Sequence, residues 1–386
     1  MDKTPIYFNN AATSYPKPPE VADAVATCIA SVPHDAHRGS SEDGVDIVEV
    51  CRKSIARLFG VADSSTVIFT SSATEGLNLL AFGSRLEGGH VIATAAEHNS
   101  VIRPLKTIEK RGSIAVTFAP CDGSGRVDPV AIEKSISTST RAVFVTHASN
   151  VTGAINDIGA ISEIAQRNGL LLFVDASQSA GNVPIDISTW NADGVVFAGH
   201  KGLYGIAGVG VVILKAGLDL EPLKVGGTGS RSDLLLQPTT WPARFEAGTA
   251  NLPGIAALHA GVEFVLRERI PQTDPGTTPV NLVLEERLPQ IPGVRMYGCQ
   301  GLDKRLPIWT LGVNNMDPGD CAFILQSAYG IITRAGLHCA PLIHQALGSF
   351  PAGSVRISPS YFTTMEDATR LLDALACISV GYGRNT

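Results

Sequence analysis

Two apolar segments of the chain end in side chains that could do covalent chemistry. Asp175 lies at the end of the apolar part of LLFVDAS (171–177), and His200 and Lys201 follow VVFAG (195–199) in a glycine-rich turn. A lysine amine can form a Schiff base with an aldehyde, and a carboxylate can hold a protonated ring nitrogen. The spacing therefore indicates a lysine and an aspartate that act together on a bound carbonyl compound.

Pyridoxal 5'-phosphate (PLP) is a cofactor that suits this pair. Lys201 would hold its aldehyde, and Asp175 would keep the pyridine nitrogen protonated, so that the ring can accept electrons from a substrate carbanion. A lysine after a buried strand is more often a plain surface residue, and short motifs also match by chance. Other polar groups around the same sheet must decide between the two interpretations.

A third segment offers a phosphate site. The apolar segment TVIFT (66–70) runs into SSATEGLNLLAF, where Ser71 or Ser72 can cap a helix whose first amides include those of Ala73 and Thr74. Exposed amides at a helix start, with a hydroxyl beside them, bind phosphate. The same pattern is more often only a helix cap, so the phosphate interpretation depends on the cofactor.

Two more strand ends carry polar groups. His98 follows HVIATA (90–95), where an imidazole could stack on a flat ring and move protons, or could be a solvated loop residue. Asn150 follows AVFVTH (142–147) and could bond the cofactor's phenolic oxygen or a substrate carboxylate, or could simply form a turn. Five strand ends therefore offer groups that suit one cofactor.

These residues can act on one ligand only in a fold that brings the ends of the strands together. From about residue 20 to 260, short β-branched segments alternate with amphipathic ones such as AIEKSIS (131–137) and ISEIAQRNG (161–169). This alternation predicts an α/β fold with a mostly parallel, doubly wound sheet, which binds ligands at the carboxyl ends of its strands. The predicted strands are TVIFT (66–70), HVIATA (90–95), AVTFAP (115–120), AVFVTH (142–147), LLFVDAS (171–177), VVFAG (195–199) and VGVVIL (209–214).

The pattern changes after about residue 260. A helix through GVEFVLRERI is followed by the proline-rich segment 270–280, then by a helix and short strands, and by a last helix from MEDATRLLDALACI. We predict a smaller α+β domain formed by residues 1–16 and 263–386, beside a large cofactor-binding domain over 17–262.

Composition narrows the class of protein. The 386 residues carry a formal net charge of −6, which argues against nucleic acid or an anionic membrane as the main partner. The start of the chain has no apolar signal core, and no stretch approaches the roughly 18 apolar residues of a membrane span, so we expect a cytoplasmic protein. Seven scattered cysteines without a CxxC pair indicate neither a disulfide framework nor a metal site.

The order of these motifs resembles a known family. FNNAATSYP (8–16), AHRG (36–39) and RAGLHCAPL (334–342) join the strand-end residues in a pattern that spans nearly the whole chain. It is similar to PLP enzymes of fold type I with the class V aminotransferase fold. Within them it resembles the group II, short-loop cysteine desulfurases and selenocysteine lyases. This resemblance implies the same fold, PLP as cofactor and a homodimer with shared active sites.

The resemblance also implies a role for each strand-end residue. The implied roles are the Schiff base and proton movement for Lys201, pairing with the ring nitrogen for Asp175, a bond to the phenolic oxygen for Gln178, ring stacking for His98, and phosphate binding for Ala73, Thr74 and His200. Thr249, in FEAGTANLPG, matches a threonine that completes the phosphate site of the partner subunit. Ala198 departs from the family, since many relatives have a phosphate-binding serine there. We expect cofactor binding to survive this change.

A cysteine in the C-terminal part of the chain would determine which reaction the bound cofactor serves. Cys339 lies beside His338, with Arg334 five residues before it and Arg356 on the strand-like VRIS segment. A thiolate can attack the sulfur of a bound cysteine, which leaves a persulfide on the enzyme and gives alanine, and positive neighbours favour the thiolate. In the family the cysteine accepts the sulfur and the arginine that matches Arg356 clamps the substrate carboxylate, for which its planar fork is suited. Asn150, Arg334 and His338 are the further candidate substrate contacts.

We therefore predict a PLP-dependent cysteine desulfurase, a sulfurtransferase with carbon–sulfur lyase chemistry. It would turn L-cysteine into L-alanine and pass the sulfur to an acceptor protein, as in iron–sulfur cluster assembly. Three alternatives stay open. They are a selenocysteine lyase acting on L-selenocysteine, another enzyme of the same fold (aminotransferase, epimerase or lyase) that does not use Cys339, and a scaffold without turnover.

Overall fold

The computed structural model describes residues 5–31, 46–229, 231–272, 278–298, 301–314 and 316–383. The AHRG motif (36–39) and Cys299 lie outside the described residues. The strands are β1 (Ile6–Tyr7), β2 (Val67–Thr70), β3 (Gly89–Thr94), β4 (Ile114–Ala119), β5 (Thr140–Thr146), β6 (Leu171–Asp175), β7 (Gly194–Ala198), β8 (Gly210–Leu214), β9 (Val294–Tyr297), β10 (Trp309–Val313), β11 (Ile331–Ile332), β12 (Arg334–Gly336) and β13 (Ser354–Ile357).

The helices alternate with these strands in the first two thirds of the chain, as the sequence pattern predicts. They are α1 (Pro19–Ala30), α2 (Ile47–Leu58), α3 (Ala73–Gly83), α4 (Asn99–Lys110), α5 (Pro129–Lys134), α6 (Ile158–Arg167), α7 (Ile187–Trp190), α8 (Leu252–Arg267), α9 (Pro279–Arg287), α10 (Pro318–Tyr329), α11 (Pro341–Ala346) and α12 (Met365–Gly383). Among the described helices, none is both long and apolar enough to cross a bilayer.

The central sheet has seven strands in the order β2-β8-β7-β6-β5-β3-β4. Strand β8 pairs antiparallel with both of its neighbours, β2 and β7, whereas β3 to β7 pair in parallel. The prediction of a mostly parallel, doubly wound sheet is confirmed. Because the parallel strands end at one edge, the residues that follow them meet there.

Alternating strand residues bury both faces of the sheet. Leu172 and Val174 of β6 pack on one side with residues of α2, α6 and α8, whereas Phe173 packs on the other side with residues of α3 and α4. A strand covered on both faces reads as a continuous apolar run, which is the pattern of LLFV. The polar residues that follow the strands therefore stand out at the edge.

A second sheet, with the order β12-β13-β10-β9, is antiparallel and lies in the C-terminal part of the chain. Its core joins Ile6 and Phe8 to apolar residues between Leu284 and Ile378. Strand β1 pairs in parallel with β11, which ties the N-terminal segment to this part. Helix α8 is continuous across the predicted boundary at 262/263. The domain limits stay a prediction.

Candidate active site

A cavity of about 220 Å³ opens at the carboxyl edge of the central sheet. Residues after β2, β3, β5, β6 and β7 line it, together with two residues of the N-terminal segment and two arginines of the antiparallel sheet. Its polar and charged lining residues include Thr74, His98, Ser100, Asn150, Asp175, Gln178, His200, Lys201, Arg334 and Arg356. The fold therefore brings together all five strand ends that the sequence selects.

Lys201 sits in a turn closed by backbone hydrogen bonds. Gly199 N donates to Val209 O at 3.0 Å, Gly205 N donates to Gly199 O at 2.9 Å, and Tyr204 N donates to Lys201 O at 2.9 Å. Burial lowers the pKa of the Lys201 amine to about 8, against the opposing effect of the Asp175 carboxylate. The amine can therefore lose its proton near neutral pH more easily than an exposed lysine.

Asp175 is the last residue of β6 and is only 6% exposed. Its Oδ1 accepts a hydrogen bond from Ser177 N at 2.9 Å. Gln178 is held one turn later, where its Nε2 donates to Ala11 O at 2.9 Å. A buried carboxylate is costly without a positive partner, so this position suits a protonated ring nitrogen.

His98 caps helix α4 with its own ring. Nδ1 accepts a hydrogen bond from Ser100 N at 3.1 Å, so the ring proton of the neutral form is on Nε2. Burial, with a further contribution from the Lys201 charge, lowers the pKa of His98 to about 4. The ring is therefore neutral at pH 7 and presents an apolar face, as stacking on a cofactor ring requires.

The start of helix α3 forms a cradle for an anion. Ser72 is the N-cap and accepts from Glu75 N at 3.2 Å, which leaves the earlier amides of Ala73 and Thr74 without partners inside the helix. A Cβ at Gly210 would overlap the backbone of Ser72 and Ala73, so only glycine lets β8 approach this helix start. This geometry suits the phosphate end of PLP.

Two further features test the fit to PLP. The buried Nδ1 atom of His200 has no hydrogen-bond partner within the described part of the chain, and burial lowers the pKa of His200 to about 4. Ala198 lines the cavity without a polar group. The helix start and the His200 ring thus offer donors for a phosphate, and Asp175 and Lys201 match the ring nitrogen and the aldehyde.

Arg356 points a buried cation toward the cavity. It is 1% exposed, and among the described residues the acceptors of its Nη1 and Nη2 are two neutral oxygens, Asn150 O at 2.7 Å and Asn9 Oδ1 at 3.2 Å. Burial, and next the Arg334 charge, lower its pKa to about 9, so it stays protonated at pH 7. An anion such as a substrate carboxylate would therefore bind favourably here.

Cys339 lies against the second arginine. Arg334 Nη2 donates to Cys339 Sγ at 3.2 Å, and the cysteine is partly buried. His338 and Cys339 both have left-handed backbones, with φ of 50° and 60°. Asn99 N donates to Cys339 O at 2.7 Å, and these bonds hold an unfavourable conformation in place.

Three sequence-predicted site residues, Cys339, His338 and Thr249, are not among those that line the cavity. Cys339 contacts it through Arg334. The His338 ring contacts Ser354 Oγ at 3.1 Å, away from the residues that line the cavity, although its carbonyl accepts from Asn150 Nδ2 at 2.7 Å. Thr249 is exposed and lines a second cavity with Thr228. Thr249 is therefore not part of the cavity that Lys201 lines in its own chain, and its role toward a partner subunit stays a prediction.

Two polar residues near the cavity, Ser100 and Glu97, are not predicted by the sequence analysis. Ser100 Oγ lies 2.8 Å from both Thr74 Oγ1 and His98 Nδ1, and so joins the two. Glu97 is completely buried near the Asp175 charge, and its Oε1 accepts from Thr146 N at 2.7 Å. A charged residue next to His98 in an apolar segment was the available signal for Glu97. No local pattern marks Ser100.

Comparisons with known proteins agree with this geometry. The model of the class V aminotransferase family matches residues 6–371. A probable cysteine desulfurase of Methanothermobacter thermautotrophicus is 34% identical over 81% of this chain and 79% of its own length, and a cysteine desulfurase of Salmonella agona is 30% identical over 97% and 93%.

Solved structures give the same result. The apo structure of a cysteine desulfurase from Thermococcus onnurineus matches with a TM-score of 0.87 and 29% identity, over 98% of this chain and 95% of the other. A cysteine desulfurase from Escherichia coli matches with a TM-score of 0.87 and 25% identity, over 99% and 96%. The sequence-predicted fold type is therefore confirmed.

Proposed function

Because the chain belongs to the class V aminotransferase family, we propose that it is a PLP-dependent cysteine desulfurase. It converts L-cysteine to L-alanine and keeps the sulfur as a persulfide on Cys339. The observation that carries the proposal is the contact of Cys339 with Arg334, an arginine that lines the cavity together with Lys201 and Arg356. The cysteine desulfurases to which the chain is similar support the choice of substrate.

The residues of the cavity fit PLP. Asp175 would hold the ring nitrogen, Lys201 the aldehyde, and the start of α3 with His200 the phosphate, while His98 would cover the ring. When bound, PLP supplies an electron sink that lets an amino acid lose its Cα proton. The lowered pKa of Lys201 suits it to take up and return that proton near neutral pH.

The substrate carboxylate would bind to Arg356. Lys201, Arg334 and Arg356 bring three cations to the cavity, whereas Asp175 is the carboxylate that lines it. This excess of positive charge suits two anions, a phosphate and a carboxylate. Arg356 is held by Asn150 O and Asn9 Oδ1, so its fork is oriented before the substrate arrives.

Cys339 would take the sulfur as a nucleophile. Its thiolate attacks the substrate sulfur, a sulfur–sulfur bond forms, and the carbon–sulfur bond breaks with its electron pair going to carbon. Protonation at that carbon gives alanine, so one cysteine and one thiol yield one alanine and one persulfide. Arg334 donates a hydrogen bond to the sulfur of Cys339 and so orients the nucleophile at the edge of the cavity.

The proposal includes a homodimer and a sulfur acceptor. Thr249 would contribute to the phosphate site of the second subunit, since it is exposed and lies outside the cavity of its own chain. Sedimentation should give twice the 40.5 kDa of the chain. Thr249→Ala should weaken PLP binding without changing the environment of Lys201 in its own chain. An acceptor protein completes turnover: its thiolate attacks the outer sulfur of the persulfide, the bond to Cys339 breaks, and Cys339 leaves as a thiolate. We expect the enzyme and its acceptor in the cytoplasm.

The test is a single turnover with the PLP-loaded protein. L-cysteine in slight excess should give equal amounts of alanine and of a persulfide that peptide mass spectrometry maps to Cys339. Cys339→Ser should lose both, whereas Cys377→Ser, which changes an exposed cysteine elsewhere, should keep both. Alanine formed by Cys339→Ser at the wild-type rate with added thiol would refute the role of Cys339.

Lys201→Ala tests the cofactor assignment. The variant should lack the visible absorbance of the PLP-loaded wild type, while Lys215→Ala, at an exposed surface lysine, should retain it. Alanine released from selenocysteine but not from cysteine would instead identify a selenocysteine lyase. Transamination without a persulfide would identify another reaction of the same fold.

A further inference from the structure

The N-terminal segment 9–17 lies against the cavity from the side of the antiparallel sheet. Asn9 Oδ1 accepts from Arg356 Nη2 at 3.2 Å, and Ala11 O accepts from Gln178 Nε2 at 2.9 Å. The segment thus contacts a residue assigned to the substrate and a residue assigned to the cofactor ring. A third contact, made by its last residues, goes to the turn that carries Lys201.

This third contact converges on one atom, the carbonyl oxygen of His200. Thr13 Oγ1 donates to it at 3.1 Å, Ser14 N at 3.1 Å, Ser14 Oγ at 3.2 Å and Lys17 Nζ at 2.9 Å. A carbonyl oxygen has two lone pairs, so four donors are more than an ordinary peptide receives. This carbonyl belongs to the peptide bond that precedes Lys201, and its orientation sets the direction of the Lys201 backbone.

Lys17 is the charged member of the four donors. Its Nζ bonds two neutral oxygens, His200 O at 2.9 Å and Ser14 Oγ at 2.8 Å. Burial lowers the pKa of Lys17 to about 8, so placing the ammonium here costs free energy yet leaves it mostly charged at pH 7. A charged donor makes a hydrogen bond about twice as strong as a neutral one.

We propose that Lys17 is a positioning residue for Lys201. Its ammonium clamps the His200 carbonyl and so holds the Lys201 turn, already in the cofactor-free protein, in the conformation that receives PLP. The clamp also ties this turn to the segment that carries Asn9 and Ala11. The inference rests on the proposed function, because it assumes that Lys201 receives a cofactor.

The first measurement needs no cofactor. Hydrogen exchange of the cofactor-free protein should show protected amides at Gly199, Tyr204 and Gly205, which close the turn. In Lys17→Met, exchange over 199–205 should be about tenfold faster, while strand β5 exchanges as in the wild type. Lys17→Arg, which keeps a charged donor, should restore most of the protection. Lys215→Met is the matched control and should change nothing, since Lys215 is exposed and pairs with Asp193.

The second measurement uses PLP. Lys17→Met should bind PLP about tenfold more weakly, which corresponds to about 1.4 kcal/mol. The pH midpoint of its visible absorbance change should also differ from that of the wild type and return in Lys17→Arg. A purely structural role would lower the unfolding temperature and speed exchange in β5 as well. That pattern, or exchange over 199–205 as slow as in Lys215→Met, would overturn the proposal.

Two outcomes separate this inference from the proposed function. If the wild type fails to bind PLP, the proposed function is refuted. The exchange experiment on the cofactor-free protein would still test whether Lys17 holds the turn that carries Lys201. If PLP binds normally and Lys17→Met matches the wild type in exchange and affinity, only the clamp is refuted.

Should Lys17→Met not fold, Thr13→Val and Ser14→Ala each remove a hydroxyl donor to the same carbonyl. Each should speed exchange over 199–205 about two- to fivefold, and no change in either would overturn the proposal.

Discussion

Arg334 and Cys339, five residues apart in sequence, are in contact, with Nη2 of the arginine donating to Sγ of the cysteine at 3.2 Å. Arg334 lies on β12, whereas Cys339 follows in a turn whose left-handed backbone brings the sulfur back toward the guanidinium. Arg334 also lines the cavity with Lys201. The pair therefore connects the nucleophile to the site where the amino acid would be activated.

Arg334→Met should slow persulfide formation. A hydrogen bond to a charged group is worth about 1.5–3 kcal/mol, so we expect the rate in a single turnover to fall about 10- to 100-fold. Binding of PLP should change little, because Asp175, Lys201 and the start of α3 remain. Arg334→Lys should recover part of the rate. A variant that forms the persulfide as fast as the wild type would show that the contact has no role in sulfur transfer.

Arg356→Met should raise the KM for L-cysteine more than it lowers kcat. The loss of a charged contact to the substrate carboxylate predicts an increase of about 10- to 100-fold. Arg356→Lys should restore little, because one ammonium cannot reproduce a planar fork. Steady-state kinetics measure the effect, with Arg287→Met, at an exposed position of α9, as control. An unchanged KM would place the carboxylate elsewhere.

Gly210→Ala should weaken PLP binding by about tenfold or more. The added Cβ would overlap the backbone of Ser72 and Ala73, so the start of α3 has to move. The same overlap should cost about 1–3 kcal/mol of stability. Gly381→Ala, where an added Cβ meets nothing within 4 Å, is the matched control. Equilibrium titration with PLP measures the affinity. Equal affinities of Gly210→Ala and the wild type would contradict the assignment of the start of α3 as the phosphate site.

Glu97 predicts a pH dependence of stability. Burial, which outweighs the hydrogen bond from Thr94 and acts with the nearby Asp175 charge, raises its pKa to about 8. The folded state therefore binds a proton that the unfolded state releases above about pH 4.5, so stability falls as pH rises from 4.5 through 8.

Glu97→Gln removes this titration. Urea unfolding of the cofactor-free proteins should show the difference in stability, variant minus wild type, increasing by about 3 kcal/mol between pH 5 and pH 8. The other titrating groups are common to both proteins and cancel in the difference. Glu97 Oε2 has no hydrogen-bond partner within the described residues, so a polar group of the Gln side chain would also lack one there. This lowers the stability of the variant by an amount that does not depend on pH. Parallel pH curves would mean that Glu97 ionises normally.

The sequence alone determined which residues follow the buried strands. Apolar runs such as LLFVD and VVFAG encode strands locally, and a parallel sheet brings their carboxyl ends to one edge, so Asp175, Lys201, His98, Asn150 and Thr74 could be predicted to meet. The order of the motifs likewise determined the family. These inferences needed no distance between remote parts of the chain.

The tertiary structure decided which other groups contact and position these site residues. The contact of Lys17 with the His200 carbonyl joins residues 183 positions apart. The burial of Glu97, which follows β3, and its bond to Thr146 of β5 depend on how these strands pair. Hydrophobic periodicity specifies which face of an element is buried but not which remote polar groups pair, because such pairing is set by packing geometry. For the same reason the sequence could name Cys339 as nucleophile, whereas only the fold placed it against Arg334.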